Sequence, residues 1–353
     1  MPCPYQMSLG IGGTVKHWYV TGPRVLECVD EPMPVPGDGE VLVRVAYTAL
    51  SPGSNVHVYR TGSYRHEFSP GRTDIVYMGS GTIDAVGHGV DEGLVGAPVA
   101  FNGGGHQPFA AMPADKVKRV PDGLSLRDAS LSYLSAWSVS VLHLGEYVAA
   151  ESVVVIGLGL VGASAALVAD CMGGRVLGID TAPERLAFAK GLGIGRVAHP
   201  DDAEVIQEFL GPAGPDLIIE TSGAWPGFRQ AIALARDYTR IAVMGIYRQP
   251  PPADLALQMF GEAFDFPSKF HYQRLRIIGC GYDPETLAEP MPRSATRSRN
   301  FAYTLEQAAR DRLPLGKLVT DVVPAGDIEA ILERFASGDR SMVGVVFDWS
   351  TVQ

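Results

Sequence analysis

Residues 153–180, VVVIGLGLVGASAALVADCMGGRVLGID, constrain the fold more than any other stretch. A β-branched run there meets Gly157-x-Gly159-x-x-Gly162, and the segment ends on Asp180. Residues 153–156 have the make-up of a buried parallel strand, 163–171 that of a helix running back along the sheet, and 175–179 that of the next strand. Gly157 permits the sharp turn from strand to helix, Gly159 lets a pyrophosphate approach the backbone, and Gly162 lets helix and strand pack closely. Leu160 and Val161 stand where the helix N-terminus faces the phosphates. Asp180, at the carboxyl end of the second strand, is placed to accept hydrogen bonds from the adenosine ribose hydroxyls. A 2′-phosphate there would meet like charge, so the spacing predicts a dinucleotide cradle that favours NAD(H) over NADP(H). Arg185 argues the other way, since a nearby cation can accept that phosphate; it can equally lie over the adenine or face solvent.

At 353 residues the chain exceeds a usual single core, so two domains are expected. Apolar content of 46% with 19% charge is that of a compact soluble protein, and a net charge of −10 argues against nucleic-acid or anionic-membrane binding. A small molecule is the expected partner. Cys3, Cys28, Cys171 and Cys280 form no C-x-x-C pair, a reduced intracellular pattern. The N-terminal MPCPYQMSLGIGG lacks the blocks of a signal peptide, and a cytoplasmic protein is expected. Residues 152–169 are uncharged and nearly long enough to span a membrane, but their three glycines fit a strand followed by a helix better.

Before residue 130 the pattern is β-rich, with runs such as TVKHWYV, VLVRVAYTAL and GAPVAF punctuated by Pro and Gly. From 131 it changes: LSYLSAWSVSVLHL reads as a helix, and the strands VVVIG, VLGID, RVAH, DLIIET, RIAVMGI and RLRIIGC alternate with helical segments. Six strands with crossovers make a doubly wound α/β sheet. After Gly281 come a polar stretch, amphipathic helices near 300–310 and 326–337, and a last strand, MVGVVFDW. The expected domains are 1–130, 131–281 and a return to the first domain over 282–353.

This order of parts resembles the medium-chain dehydrogenase/reductase superfamily. The likeness runs through PGDGEVLVRVAYTALSPGSN, SAWS, IGLGLVG, GIDTAPERLAFAKGLG and IIETSGAWPGFRQAIALARDYTRIAVMGI. It implies a GroES-like β-barrel catalytic domain plus a doubly wound Rossmann domain. Zinc-dependent members carry a Cys and a His-Glu where this chain has ALSPGSN and YMGSGTID. Ser51 or Pro52, Ser80 and Gly81 then fall at the ligand positions, and hydroxyls and glycine do not hold Zn2+. The pair His66-Glu67 has neither a second His at helical spacing nor a cysteine nearby. A zinc-independent branch is therefore expected, with hydrogen bonds or a positioned base replacing the metal.

His57, in HVYRTG, resembles a histidine that relays protons through the ribose in alcohol dehydrogenases, and can also be a merely satisfied ring. Tyr59 and Tyr64 can donate to a carbonyl oxygen or simply pack, and Asn55 can orient a hydroxyl or cap the chain. His106, in GGGHQPFA, reads as a solvated loop residue within possible reach of substrate. Ser135 resembles the Thr of a T-A-Y motif that meets the nicotinamide, while Trp137 packs. Thr221, Ser222 and Gly223 end one strand on the adenosine side, and Met244, Gly245 and Ile246 end the next beside the nicotinamide. Arg293, Arg297 and Arg299 make either a solvated loop or an anion-binding group.

The leading expectation is an NAD-dependent oxidoreductase interconverting a secondary alcohol and a ketone. YRTGSY resembles a quinone-reductase run and supports an enone or quinone reductase as the alternative, and a non-catalytic binding protein is a third class. RLRIIGC reads as an apolar edge strand, from which a homodimer is expected.

Overall fold

The structure, a computed structural model, describes residues 13–64, 71–259, 261, 267–281 and 296–350. Its contacts divide the chain into two units, one of Met1–Tyr133 with Val319–Gln353 and the other of Leu134–Leu318.

In the first unit the strand Glu40–Ala49 organises the barrel. One of its edges is taken by Met78–Val86, while the other is shared: Phe109–Pro113 pairs with its first half and Val345–Asp348 with its last three residues. The sheet continues through Pro98–Asn102 and Val117–Arg119 at one end and Asp321–Pro324 at the other. Alternation along Glu40–Ala49 sends Val41, Val43 and Val45 into a core with Val99, Phe101, Ile328 and Phe347. A smaller sheet joins Val25–Pro32, Thr14–Gly22 and Thr73–Asp74. This is the GroES-like barrel the sequence resembles.

The second unit holds six parallel strands in the order Arg196–Ala198, Arg175–Ile179, Ser152–Ile156, Leu217–Glu220, Arg240–Val243 and Arg276–Gly279. Every residue of Ser152–Ile156 is buried, as a central parallel strand covered on both faces requires. The order places the topological switch between Ser152–Ile156 and Leu217–Glu220, where an open α/β sheet binds its ligand. The helix begins at Leu160, with Gly162 in its first turn and about one turn earlier than the expected start at residue 163.

Two expectations need correction. The helix Arg297–Ala309 stays with the second unit, so the chain returns at residue 319 and not at 282. The reason is burial: Phe301 and Leu305 are 3% and 1% exposed, and Asn300 Nδ2 donates to Ser140 Oγ at 2.9 Å. His106 is not a solvated loop residue. Its Nε2–H donates to the carbonyl of Ala325 at 2.8 Å, its Nδ1 faces the Thr48 hydroxyl at 2.9 Å, and Trp349 Nε1 donates to that hydroxyl at 3.1 Å. Three successive glycines at positive φ, Gly103, Gly104 and Gly105, let the chain dive inward.

Burial lowers the pKa of His106 to about 3, with the charge of His17 acting the same way and the Ala325 hydrogen bond opposing. The folded ring therefore refuses a proton that the unfolded chain accepts near pH 6.5. Its contribution is intact above that pH and is lost as pH falls toward 3, at up to roughly 1.4 kcal/mol per pH unit. Denaturant titrations at pH 7 and pH 4.5 should show a smaller loss of stability for His106→Gln than for wild type. Equal losses would contradict this account.

Candidate functional site

In the second unit the three glycines meet three different demands. Gly157 has φ +91°, and a Cβ there would lie 2.9 Å from the Ser222 amide nitrogen. A Cβ on Gly162 would lie 1.7 Å from the Gly157 carbonyl oxygen and 2.6 Å from Thr221 Oγ1. By contrast, a Cβ on Gly159 would meet nothing within 4 Å. The fold therefore leaves open the position that a diphosphate needs, directly before the helix amides of Leu160, Val161 and Gly162.

Asp180 faces this turn with both oxygens anchored: Oδ2 accepts from Leu158 N–H at 2.6 Å and Oδ1 from Ala182 N–H at 2.8 Å. Each oxygen keeps a further lone pair, so the carboxylate is held rigid yet able to accept from a ribose diol. Arg185 lies half-buried in the first turn of the helix Pro183–Gly191. Thr221 Oγ1 donates to the carbonyls of Gly157 and Ile156 at 2.7 and 3.1 Å, tying the next strand end to the glycine turn. Ser135 is fully buried in a chain of hydroxyls, with Ser138 donating to Ser164 at 3.1 Å and Ser164 to Ser135 at 2.9 Å. Trp137 lies under Arg297, whose guanidinium is 5.6 Å from the ring centroid.

Glu220 is the residue of this region that the sequence reading missed. It is a fully buried carboxylate at the end of Leu217–Glu220, and its Oε1 accepts from the Ser222 hydroxyl and, at 2.8 Å, from the Ser222 amide. Its backbone carbonyl accepts from Met244 N–H and Gly245 N–H, both at 2.8 Å. One residue thus holds the Thr221, Ser222, Gly223 turn and the Met244, Gly245, Ile246 turn together. Gly245 is needed there, since a Cβ would sit 2.4 Å from the Gly223 nitrogen. Burial, with the negative charge of Glu220 acting the same way, raises the Tyr247 phenol far above its ordinary pKa. An acidic residue ending an apolar strand was the available signal.

In the first unit the helix Pro52–Thr61 carries Asn55, His57 and Tyr59. Asn55 is buried; its Oδ1 accepts from Ser51 N–H at 2.8 Å and its Nδ2 donates to the Tyr64 hydroxyl at 3.3 Å. Those residues are brought together. Tyr59 is sent elsewhere: its hydroxyl donates to Glu333 at 3.1 Å, and burial followed by that hydrogen bond pushes its pKa up to about 12. His57 is half-buried, and its carbonyl accepts from the Thr61 hydroxyl at 2.8 Å. His66, Glu67 and Arg293 lie outside the described residues.

The side chain that comes beside Ser51 is Tyr77, which the sequence reading passed over. Burial raises the pKa of its phenol and the nearby Ser51 and Ser54 side chains oppose that rise, and its ring meets Tyr133 edge-on at 6.2 Å and 82°. Val76 before it sits at φ +67°, a left-handed conformation that costs a β-branched residue about 1–3 kcal/mol. Ser80 and Gly81 are committed otherwise. Ser80 Oγ donates to the Leu126 carbonyl at 2.6 Å, and a Cβ on Gly81 would lie 2.2 Å from the Arg44 carbonyl oxygen. Hydroxyls and phenols do not fit Zn2+. Among the described residues no group of three or more His, Cys, Asp or Glu side chains is arranged to hold a metal ion.

A family model for zinc-binding dehydrogenases matches residues 160–290. The chain is 23% identical over 343 residues to 2-dehydro-3-deoxy-L-galactonate 5-dehydrogenase of Pseudoalteromonas atlantica, covering 88% of this chain and 92% of that protein. Among solved structures it resembles an alcohol dehydrogenase of Escherichia coli CFT073 complexed with NADH, with TM-score 0.76 and 21% identity over 96% of this chain and all of that one. It also resembles a dehydrogenase of Sinorhizobium meliloti bound to NADP, with TM-score 0.78 and 16% identity over 95% and 99% of the two chains. Residues 160–290 thus match zinc-binding dehydrogenases, and the chain as a whole has the fold of the alcohol-dehydrogenase-like structures it resembles.

The glycine geometry separates folding from binding. Gly162→Ala drives a Cβ into backbone and should destabilise the protein by about 1–3 kcal/mol or more, whereas Gly159→Ala should leave the thermal midpoint within about a degree of wild type. Calorimetry on both variants checks this, and equal midpoints would contradict the close packing.

Proposed function

We propose that this chain is an NAD(H)-dependent, zinc-independent oxidoreductase that interconverts a secondary alcohol and a ketone on a polyol, cyclitol, sugar or secondary-metabolite intermediate. The observation that carries the reading is the anchored Asp180 carboxylate beside the open Gly159 position. In this reading Gly157, Gly159, Gly162 and the first helix amides receive the diphosphate and Asp180 the ribose diol. Thr221, Ser222, Gly223, Met244, Gly245 and Ile246 line the remaining length. The bound dinucleotide supplies or accepts the hydride. Asn55, Tyr64 and His57 in the first unit supply polar contacts to the reacting oxygen, since the donors around Ser51 are hydroxyls and not metal ligands. The sugar-acid substrate named for the Pseudoalteromonas relative supports a polyhydroxylated substrate.

The quinone-reductase alternative draws little from YRTGSY. Arg60 of that run donates to the carbonyls of Phe335 and Ala336, where it closes the helix Ile328–Ala336. Cytoplasmic location fits the composition, and among the described residues no helix is long and apolar enough to cross a membrane.

NADH should bind at least about tenfold more tightly than NADPH, a difference of roughly 1.4 kcal/mol, and Asp180→Ala should narrow the gap. Fluorescence titration measures both, and equal affinities would sink the NAD assignment. After exhaustive chelation, alcohol oxidation should persist without added metal; activity that returns only with Zn2+ would refute zinc independence.

A homodimer belongs to the same proposal. Arg276–Gly279 pairs with Arg240–Val243 along one edge, has no strand on its other edge among the described residues, and exposes 38% of Ile277. Light scattering at micromolar concentration should report twice the chain mass, and a monomer would refute it.

A further inference from the structure

A groove in the second unit lies well away from the glycine turn. The helices Ser132–Leu144 and Arg297–Ala309 form its sides, and Met172, just past the helix Leu160–Cys171, lines it between them. Its volume is about 360 Å³, within the usual range for a small-molecule site. The helix Leu160–Cys171 rises about 18 Å from the glycine turn to this end, so a molecule held here is remote from the diphosphate position.

Contacts between the two helices fix their relative direction. Asn300 Nδ2 donates to Ser140 Oγ at 2.9 Å, and one turn further on the Tyr303 hydroxyl lies 4.0 Å from Cys171 Sγ. On the other helix the chain passes His143 before Tyr147, whose hydroxyl donates to the Met172 carbonyl at 3.2 Å. Both helices therefore advance toward the end of Leu160–Cys171. His143 comes level with the turn from Tyr303 to Glu306, and Arg299 stands at the opposite end of the groove. Arg299 and Glu306 share one helix face, two turns or about 10 Å apart along the axis.

His143 Nδ1 is buried and has no hydrogen-bond partner among the described residues, and a buried polar atom in that state calls for one. Burial lowers the His143 pKa, so the ring is neutral near pH 7, and with its proton on Nε2 it presents Nδ1 as an acceptor. The Glu306 carboxylate is a second acceptor at this end, while Arg299 at the other end offers donors only. No side-chain hydrogen bond or ion pair with a described residue engages Arg299 or Glu306. Val139 and Met172 make the middle of the groove apolar.

We propose that this groove binds an ω-amino carboxylate, a free small molecule with its carboxylate on Arg299, its apolar spacer on Val139 and Met172, and its ammonium group donating to His143 Nδ1 and Glu306. A simple carboxylate would leave His143 and Glu306 unmatched, and a simple amine would leave Arg299 unmatched. The site involves no hydride chemistry and stands apart from the oxidoreductase reading.

Ligand-observed NMR titration of the full chain with 4-(aminomethyl)benzoate tests the assignment, with benzoate and benzylamine as single-ended comparisons. The two-ended probe should bind at least about fivefold more tightly than either. Arg299 and Glu306 are exposed, so Arg299→Gln and Glu306→Gln leave the core alone. Each should weaken the probe at least about fivefold, with the thermal midpoint and NADH affinity unchanged. His143→Phe, which puts carbon where the unpartnered nitrogen stands, should weaken it as well. No saturation transfer to the probe at millimolar concentration, equal affinity for benzoate or benzylamine, or unchanged probe affinity in any of the three variants overturns the proposal. Saturating NADH should leave the probe bound. Displacement by NADH would put the probe in the dinucleotide site and overturn the groove assignment, whereas a chain that binds the probe but not NADH supports the groove and strikes the oxidoreductase reading alone.

Discussion

The contact between Gly162 and the Gly157 carbonyl sets the geometry of the second unit. A side chain at 162 would have to occupy backbone, so the helix Leu160–Cys171 can lie against its strand only because none is there. That approach keeps the glycine turn tight enough for Leu158 N–H to reach Asp180 and for Thr221 to reach the carbonyls of Ile156 and Gly157. Three strand ends are thereby tied to one point. The position left without a neighbour is Gly159, so the packing that closes the turn also leaves a place where a ligand's phosphates can approach amide donors.

The first unit depends on a different kind of contact. Phe109–Pro113 and the C-terminal Val345–Asp348 share one edge of Glu40–Ala49, and behind that seam Trp349, Thr48, His106 and the Ala325 carbonyl form a directional chain of hydrogen bonds. Each member is satisfied only with the neutral imidazole protonated on Nε2. A buried polar chain of this kind is costly when half made, so it specifies where the returning segment docks.

Much of this was legible in the letters. The six strands of the second unit announced themselves by β-branched runs at regular spacing, and the glycines by their offsets, because both signals are local. Glu220, Tyr77 and His106 were not, for a common reason: what each does is decided by partners that sequence spacing does not display. Glu220 looks like the polar end of a strand until Met244 and Gly245 arrive on its carbonyl. Tyr77 lies 26 positions from Ser51 with no motif between them, and the eye goes to Ser80 and Gly81, which the strand turns toward Leu126 and Arg44. The helix Arg297–Ala309 was recognised as amphipathic but assigned to the wrong core, since periodicity shows that a face is apolar and not what covers it.

In the zinc-independent reading, hydroxyls in place of metal ligands would change which direction of chemistry comes easily. A cation stabilises an alkoxide whatever the protonation of its surroundings, whereas a phenol serves ketone reduction as the neutral acid and alcohol oxidation as the phenolate. Burial favours the neutral form of the Tyr77 phenol, the form a hydrogen-bond donor to a ketone would need.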